Sequence, residues 1–106
     1  MMNMNKTIDN IEALSYDLAT DIMTEKDIWT RIDSIPCSNR DLIKVIDWFL
    51  TNLSRQHMVP GADYAKLSGI GHWIRQHDYM TLPQRRYSLL CMATYWAELD
   101  LFLLSK

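Results

Sequence analysis

Histidine and cysteine are the side chains best suited to proton transfer, nucleophilic attack or metal binding near neutral pH. This chain carries three histidines, His57, His72 and His77, and two cysteines, Cys37 and Cys91. Their spacing assembles no site by local geometry. His72 and His77 are five positions apart, so on a helix they point about 140° away from each other. No Cys or His pair stands at metal-ligand spacing, and Gly69-Ile70-Gly71 lacks the strand-to-helix setting of a phosphate-binding loop. The cysteines are too few for a disulfide scaffold and read as reduced, largely buried thiols in a reducing compartment. The chain is therefore expected to have no catalytic residue, no metal and no cofactor, and not to be an enzyme.

The elements that would position any site are helices. With 106 residues there is room for one domain and one core, and 48% of the side chains are hydrophobic. Only three Gly and three Pro interrupt them, which leaves little turn material for a multi-stranded sheet. Apolar residues recur at three- and four-residue steps, and the fold class that follows is all-α: a compact bundle of about five helices over 7–23, 24–35, 39–55, 62–77 and 82–104. Ile8, Ile11, Leu14 (or Ser15), Leu18 and Ile22 make one face of the first helix, with acids between them on a solvated side. Thr24 caps the second, and Pro36 ends it by pushing its predecessor out of helical geometry. Ser38 caps the third, with Asp41 three positions on. That helix is so densely apolar that more than one of its faces must be buried. His57 to Gly61 is a loop by its Pro-Gly pair. In the fourth helix Gly69 and Gly71 cost about 1 kcal/mol each relative to alanine, which suggests a close backbone approach or a turn. Thr81-Leu82-Pro83-Gln84 is the clearest local signal, a capping box with proline in the first turn, and it opens the last helix. The third and last helices are expected at the centre, with Trp29, Trp48 and Trp96 in the core.

The segment Tyr64-Ala65-Lys66-Leu67-Ser68-Gly69-Ile70-Gly71 resembles the helix-turn-helix family, in which a small residue is followed four positions later by a turn glycine. Ala65 and Gly69 match that pair, and Ile70 matches the apolar residue after the glycine. The resemblance covers about twenty residues. It departs from the family at Arg75, which stands where the second helix carries an apolar packing residue, while Trp73 and Ile74 are out of register. It implies a DNA-binding regulator in which His72, Arg75 and Gln76 meet base edges. Lys66, Arg85 and Arg86 would then supply the phosphate contacts. The competing reading, adopted here, is one uninterrupted helix with a solvated basic side, since the net charge of −2 is low for a phosphate-binding protein.

Charge is nonetheless uneven. Before Pro36, seven acids (Asp9, Glu12, Asp17, Asp21, Glu25, Asp27, Asp33) face only Lys6, Lys26 and Arg31. From Arg55 to Arg86 the balance reverses, with five basic residues against Asp63 and Asp78. The stretch Leu89–Leu104 is apolar but contains Glu98 and Asp100 and is only sixteen residues long. A spanning helix needs about 20, so no membrane association is expected, and the polar N-terminus reads as lacking a secretory signal. A cytoplasmic location is the default.

Leu99, Phe102 and Leu103 surround the last turns of this helix. Either neighbouring helices wrap that end or it meets a second chain, a homodimer being the simplest case. Trp73, Tyr79 and Tyr95, beside polar neighbours, are the aromatic residues best placed to anchor an interface. These features point to a small regulatory or accessory protein acting by protein–protein interaction; a short chain with no recognisable site is also what small phage, plasmid or bacterial inhibitors and adaptors often look like. DNA binding through the 62–86 region is the alternative.

Overall fold

The computed structural model describes residues 4–19, 23–54 and 61–104, with side chains over 6–18, 23–51 and 62–96. Five helices appear, α1 (Met4–Ala19), α2 (Glu25–Asp33), α3 (Asn39–Ser54), α4 (Gly61–His77) and α5 (Leu82–Leu104), and no strand is present among the described residues. The all-α reading stands. None of the described helices is long and apolar enough to cross a membrane.

Helix α1 starts earlier than the sequence pattern predicts, because Thr7 is not a boundary residue. Its side chain is fully buried and its hydroxyl donates to the Pro36 carbonyl at 3.3 Å, which ties α1 to the segment after α2. Ile11 and Leu14 are completely covered, and Leu18 packs beside the core. Ile22 lies outside the described residues.

Thr24 has extended backbone angles and closes a reciprocal capping box with Asp27, each bond 3.2 Å long. A residue in that conformation cannot continue a preceding helix. Helix α2 stops at Asp33 rather than at residue 35. Its last turn tightens into Ser34 and Ile35 amides that reach back to Arg31 and Ile32, three residues earlier. The Ile35 carbonyl, and the Ile32 carbonyl that the Ile35 amide already uses, accept from the guanidinium of Arg85 on α5. A charged side chain from another helix thus supplies the partners that a helix end lacks.

Ser38 accepts from the Asp41 amide at 3.1 Å and opens α3. Leu42, Val45, Ile46, Phe49 and Leu50 are buried, and Ile43 and Trp48 are half-buried beside them. The buried arc is therefore wider than one stripe, as the apolar density implies. Helix α4 is continuous through both glycines and buries Leu67, Ile70 and Ile74. A side chain at Gly71 would place its Cβ 3.6 Å from the Ile46 methyl of α3, an ordinary contact, whereas Gly69 faces open space. Neither glycine is required by a close approach of another helix.

Thr81 and Gln84 form the expected capping box, with bonds of 2.8 and 3.2 Å. From there α5 crosses the molecule and packs against each of the other four helices, while α3 packs against α1, α4 and α5. The buried side chains make one contiguous cluster drawn from all five helices. Trp96 is buried and stacks against Phe49 with centroids 6.3 Å apart and planes 12° from parallel. Trp48 meets the same indole at 5.7 Å. Trp29 and Trp48 are only half-buried, so of the three tryptophans expected in the core Trp96 alone is fully inside.

Candidate functional site

Two places outside the core bring chemistry-bearing side chains together. The first is the C-terminal end of α4. Asp78 adopts a left-handed φ of 51°, and its amide returns to the Ile74 carbonyl at 2.8 Å, so the helix ends there in a left-handed cap. Aspartate tolerates that conformation better than most residues. Asn39, at the start of α3, donates to the Asp78 carbonyl at 3.1 Å and holds the turn. The reversal brings Tyr79 back edge-on to Trp73, centroids 5.7 Å apart and planes at 63°. His77 stacks on Trp73, 4.1 Å from its ring centre and 14° from parallel. Its Nδ1 lies 2.8 Å from the Trp73 carbonyl oxygen. Stacked and edge-on pairs are the favoured aromatic arrangements, so the three rings form one pre-ordered patch. Trp73 is half-buried and roots the patch in the core, while Tyr79 is 47% exposed and Leu82, past the turn, is 52% exposed.

The second place is a pocket of about 170 Å³ lined by Asp63, Tyr87, Leu90, Cys91, Thr94 and Tyr95. Tyr87, Cys91 and Tyr95 follow one another at four-residue steps, so they share one stripe of α5. The first turn of α4 lays Asp63 across it. Both phenols donate to this one carboxylate, Tyr87 to Oδ1 at 2.8 Å and Tyr95 to Oδ2 at 2.7 Å. Those bonds, Tyr95's first, hold the Asp63 carboxyl below the usual carboxylate range. Burial, reinforced by the carboxylate, pushes the Tyr87 phenol upward. Lys66 sits 4.0 Å over the Tyr87 ring, a cation–π contact. Burial also pushes the Cys91 thiol up to about 11 and the Cys37 thiol up to about 11. Both remain protonated near neutrality and so lack the thiolate that makes cysteine a nucleophile.

A larger open cleft of about 630 Å³ lies along α2 and the start of α5, with Trp29, Asp33 and Arg86 in its wall. Glu25 and Lys26 also line it, and its other two charges are matched to each other. Arg86 grips Asp33 through two bonds of 2.6 and 3.0 Å and lies 5.6 Å over the Trp29 ring. That grip lowers the Asp33 carboxyl and raises the Arg86 guanidinium from their ordinary values.

The interface candidates from sequence divide accordingly. Trp73 and Tyr79 come together, and His77, not singled out as an interface residue, joins them. Tyr95 is elsewhere, half-buried and bonded to Asp63. The backbone of Leu99, Phe102 and Leu103 is helical, but their side chains lie outside the described residues. His57 and Arg55 lie outside them too. Asp63 and Tyr87 were not anticipated as a pair; the four-residue repeat of Tyr87, Cys91 and Tyr95 was the available signal.

The nucleic-acid candidates do not make a helix-turn-helix. The turn that the resemblance requires at Gly69 is absent, because α4 runs unbroken from Gly61 to His77. Both glycines fit a helix here without strain, which removes the physical reason for a turn. Arg75 pairs with Asp47, Arg85 with the α2 carbonyls, and Arg86 with Asp33. Lys66 covers Tyr87, and His72 and Gln76 are exposed. The four cations among these six residues serve three different helix–helix contacts, while His72, Arg75 and Gln76 stand at three- and four-residue steps on one face of α4. Among the described residues no group of three or more His, Cys, Asp or Glu side chains is placed to hold a metal ion. Compared with protein-family models, with curated proteins and with solved structures, the chain matches none of them.

Proposed function

We propose that this chain is a non-enzymatic regulatory or accessory protein that works by binding another protein through the aromatic patch at the end of α4. The observation that carries the reading is the Trp73–His77–Tyr79 cluster, rooted in the core at one end and 47% exposed at Tyr79. Aromatic side chains already fixed by stacking lose little conformational freedom on docking, and such residues dominate interface energetics. Leu82, three residues after Tyr79, is a further exposed apolar side chain. The reading also accords with thiols kept protonated and with a His77 ring occupied by Trp73.

Nucleic-acid binding is the weaker alternative, since Arg75, Arg85 and Arg86 are already engaged within the molecule. The test uses affinity capture from source cells with wild type, Tyr79→Asp and Tyr16→Asp. Tyr16 is 53% exposed on α1, away from the patch in sequence, and serves as the control. A protein retained by wild type and Tyr16→Asp but lost with Tyr79→Asp supports the proposal. Equal retention by all three removes the patch from it.

A further inference from the structure

The Asp63 carboxylate differs from the three aspartates that pair with an arginine. Asp17, Asp33 and Asp47 each face an arginine. Asp63 makes no ion pair with a described residue; its partners are two neutral phenols. A carboxylate offers about four lone-pair sites, and the phenols occupy two. The remaining acceptor capacity borders the 170 Å³ pocket, in which Asp63 is the only charged lining residue and Leu90 and the tyrosine rings supply apolar walls. Lys66 lies over the Tyr87 ring and attracts Asp63 through space, but it forms no ion pair with it, so the carboxylate keeps acceptor sites for a ligand.

We infer that this pocket between α4 and α5 binds an organic cation: an alkylammonium or guanidinium group on a short apolar stem. The stem lies against Leu90 and the tyrosines, and the cationic head takes the unused lone pairs of Asp63. A charge-assisted bond in a partly desolvated site is the strong kind, and the two phenols hold the carboxylate in place beforehand. Aromatic faces beside the carboxylate add attraction for the same charge, as Lys66 over Tyr87 already shows. This site is separate from the aromatic patch and does not depend on it.

The test is titration of the ¹⁵N-labelled full chain with n-butylguanidinium, and with n-butylurea as its neutral isostere, at constant ionic strength. Saturable shifts of the amides of Asp63, Tyr87, Cys91 and Tyr95 are expected with the cation, with a Kd of about 1–10 mM for so small a probe. Asp63→Asn should weaken binding about tenfold or more. Because that variant also alters the phenol bonds, Thr94→Trp provides a second arm. Thr94 is an exposed lining residue, so an indole there fills the pocket with the core and Asp63 left intact, and it should also abolish the shifts.

The same chemistry occurs in free amines and in basic side chains of polypeptides. N-acetylarginine methylamide distinguishes them, binding more tightly than n-butylguanidinium if a polypeptide is the source and more weakly if a free cation is. Equal response to the urea, undiminished binding by Asp63→Asn or Thr94→Trp, or no saturable shift at these four amides would overturn the inference.

Discussion

Helix α5 meets α2 through arginines and α4 through tyrosines, and the two joints leave charge in different states. At the first, Arg85 caps the α2 carbonyls of Ile32 and Ile35, and Arg86 neutralises Asp33. Every charge there is answered by the fold itself. At the second, Asp63 is held by two neutral hydroxyls and only eased at a distance by Lys66, so its negative charge is oriented but not paired. Basic residues clustered in a sequence can thus be engaged by their own fold, whereas one inconspicuous acid can line a pocket without an ion pair. The comparison moves Arg85 and Arg86 out of the set available to a nucleic acid and puts Asp63 among the groups available to a ligand.

Breaking both joints at once should give the largest effect. They depend on α5 being seated against α3, where Phe49 is fully buried against Trp96. Phe49→Ala should lose about 3–5 kcal/mol in urea unfolding, through lost transfer energy and the cavity left behind. Breaking the α2 joint alone is expected to cost less. Arg85→Met keeps most of the stem but strands the Ile35 carbonyl and removes a second donor from Ile32, and should lose about 1–3 kcal/mol in the same measurement. A loss near zero would mean that the guanidinium contributes nothing to the end of α2.

Acid titration sharpens the contrast without touching the core. The Asp33 and Asp63 carboxyls both lie below their ordinary range when folded, so the unfolded chain takes up protons first as pH falls. The stability they supply is fully present above about pH 5 and is lost as pH falls through about 4 and below. Asp33→Asn and Asp63→Asn should each flatten part of that acid slope in thermal melts at pH 2–6. Raising the salt should diminish the Asp33 contribution, an exposed ion pair, more than the Asp63 contribution, which rests on neutral donors. The smallest effect is expected on α4. Gly69→Ala should stabilise by about 0.5–1 kcal/mol, since a methyl there meets nothing and the helix loses its most flexible residue.

Local signals were legible in the sequence, and distant pairings were not. Thr24, Ser38 and Thr81 cap helices through bonds to residues three positions away, so type and spacing alone identify them. The end of α4 was placed correctly, yet its cap at Asp78 carries no glycine to mark the left-handed turn, and the return of Tyr79 onto Trp73 follows from that turn. The Asp63 bonds join residues 24 and 32 positions apart, and no periodicity encodes which acid meets which tyrosine. Arg85 reaches 50 and 53 positions back to backbone carbonyls, groups that every residue possesses and no sequence pattern marks. Trp29 was read as core because tryptophan at helical spacing usually is. It is instead half-buried, with Arg86 laid over its ring.

The claim on which the functional account rests is that Tyr79 touches another protein. A photoreactive benzoylphenylalanine in place of Tyr79, and separately in place of Tyr16, tests it directly in source cells. The account predicts one discrete cross-linked species of higher mass from position 79 and none from position 16. A position-79 variant that stays uncross-linked while folded, or that yields the same products as position 16, would contradict it.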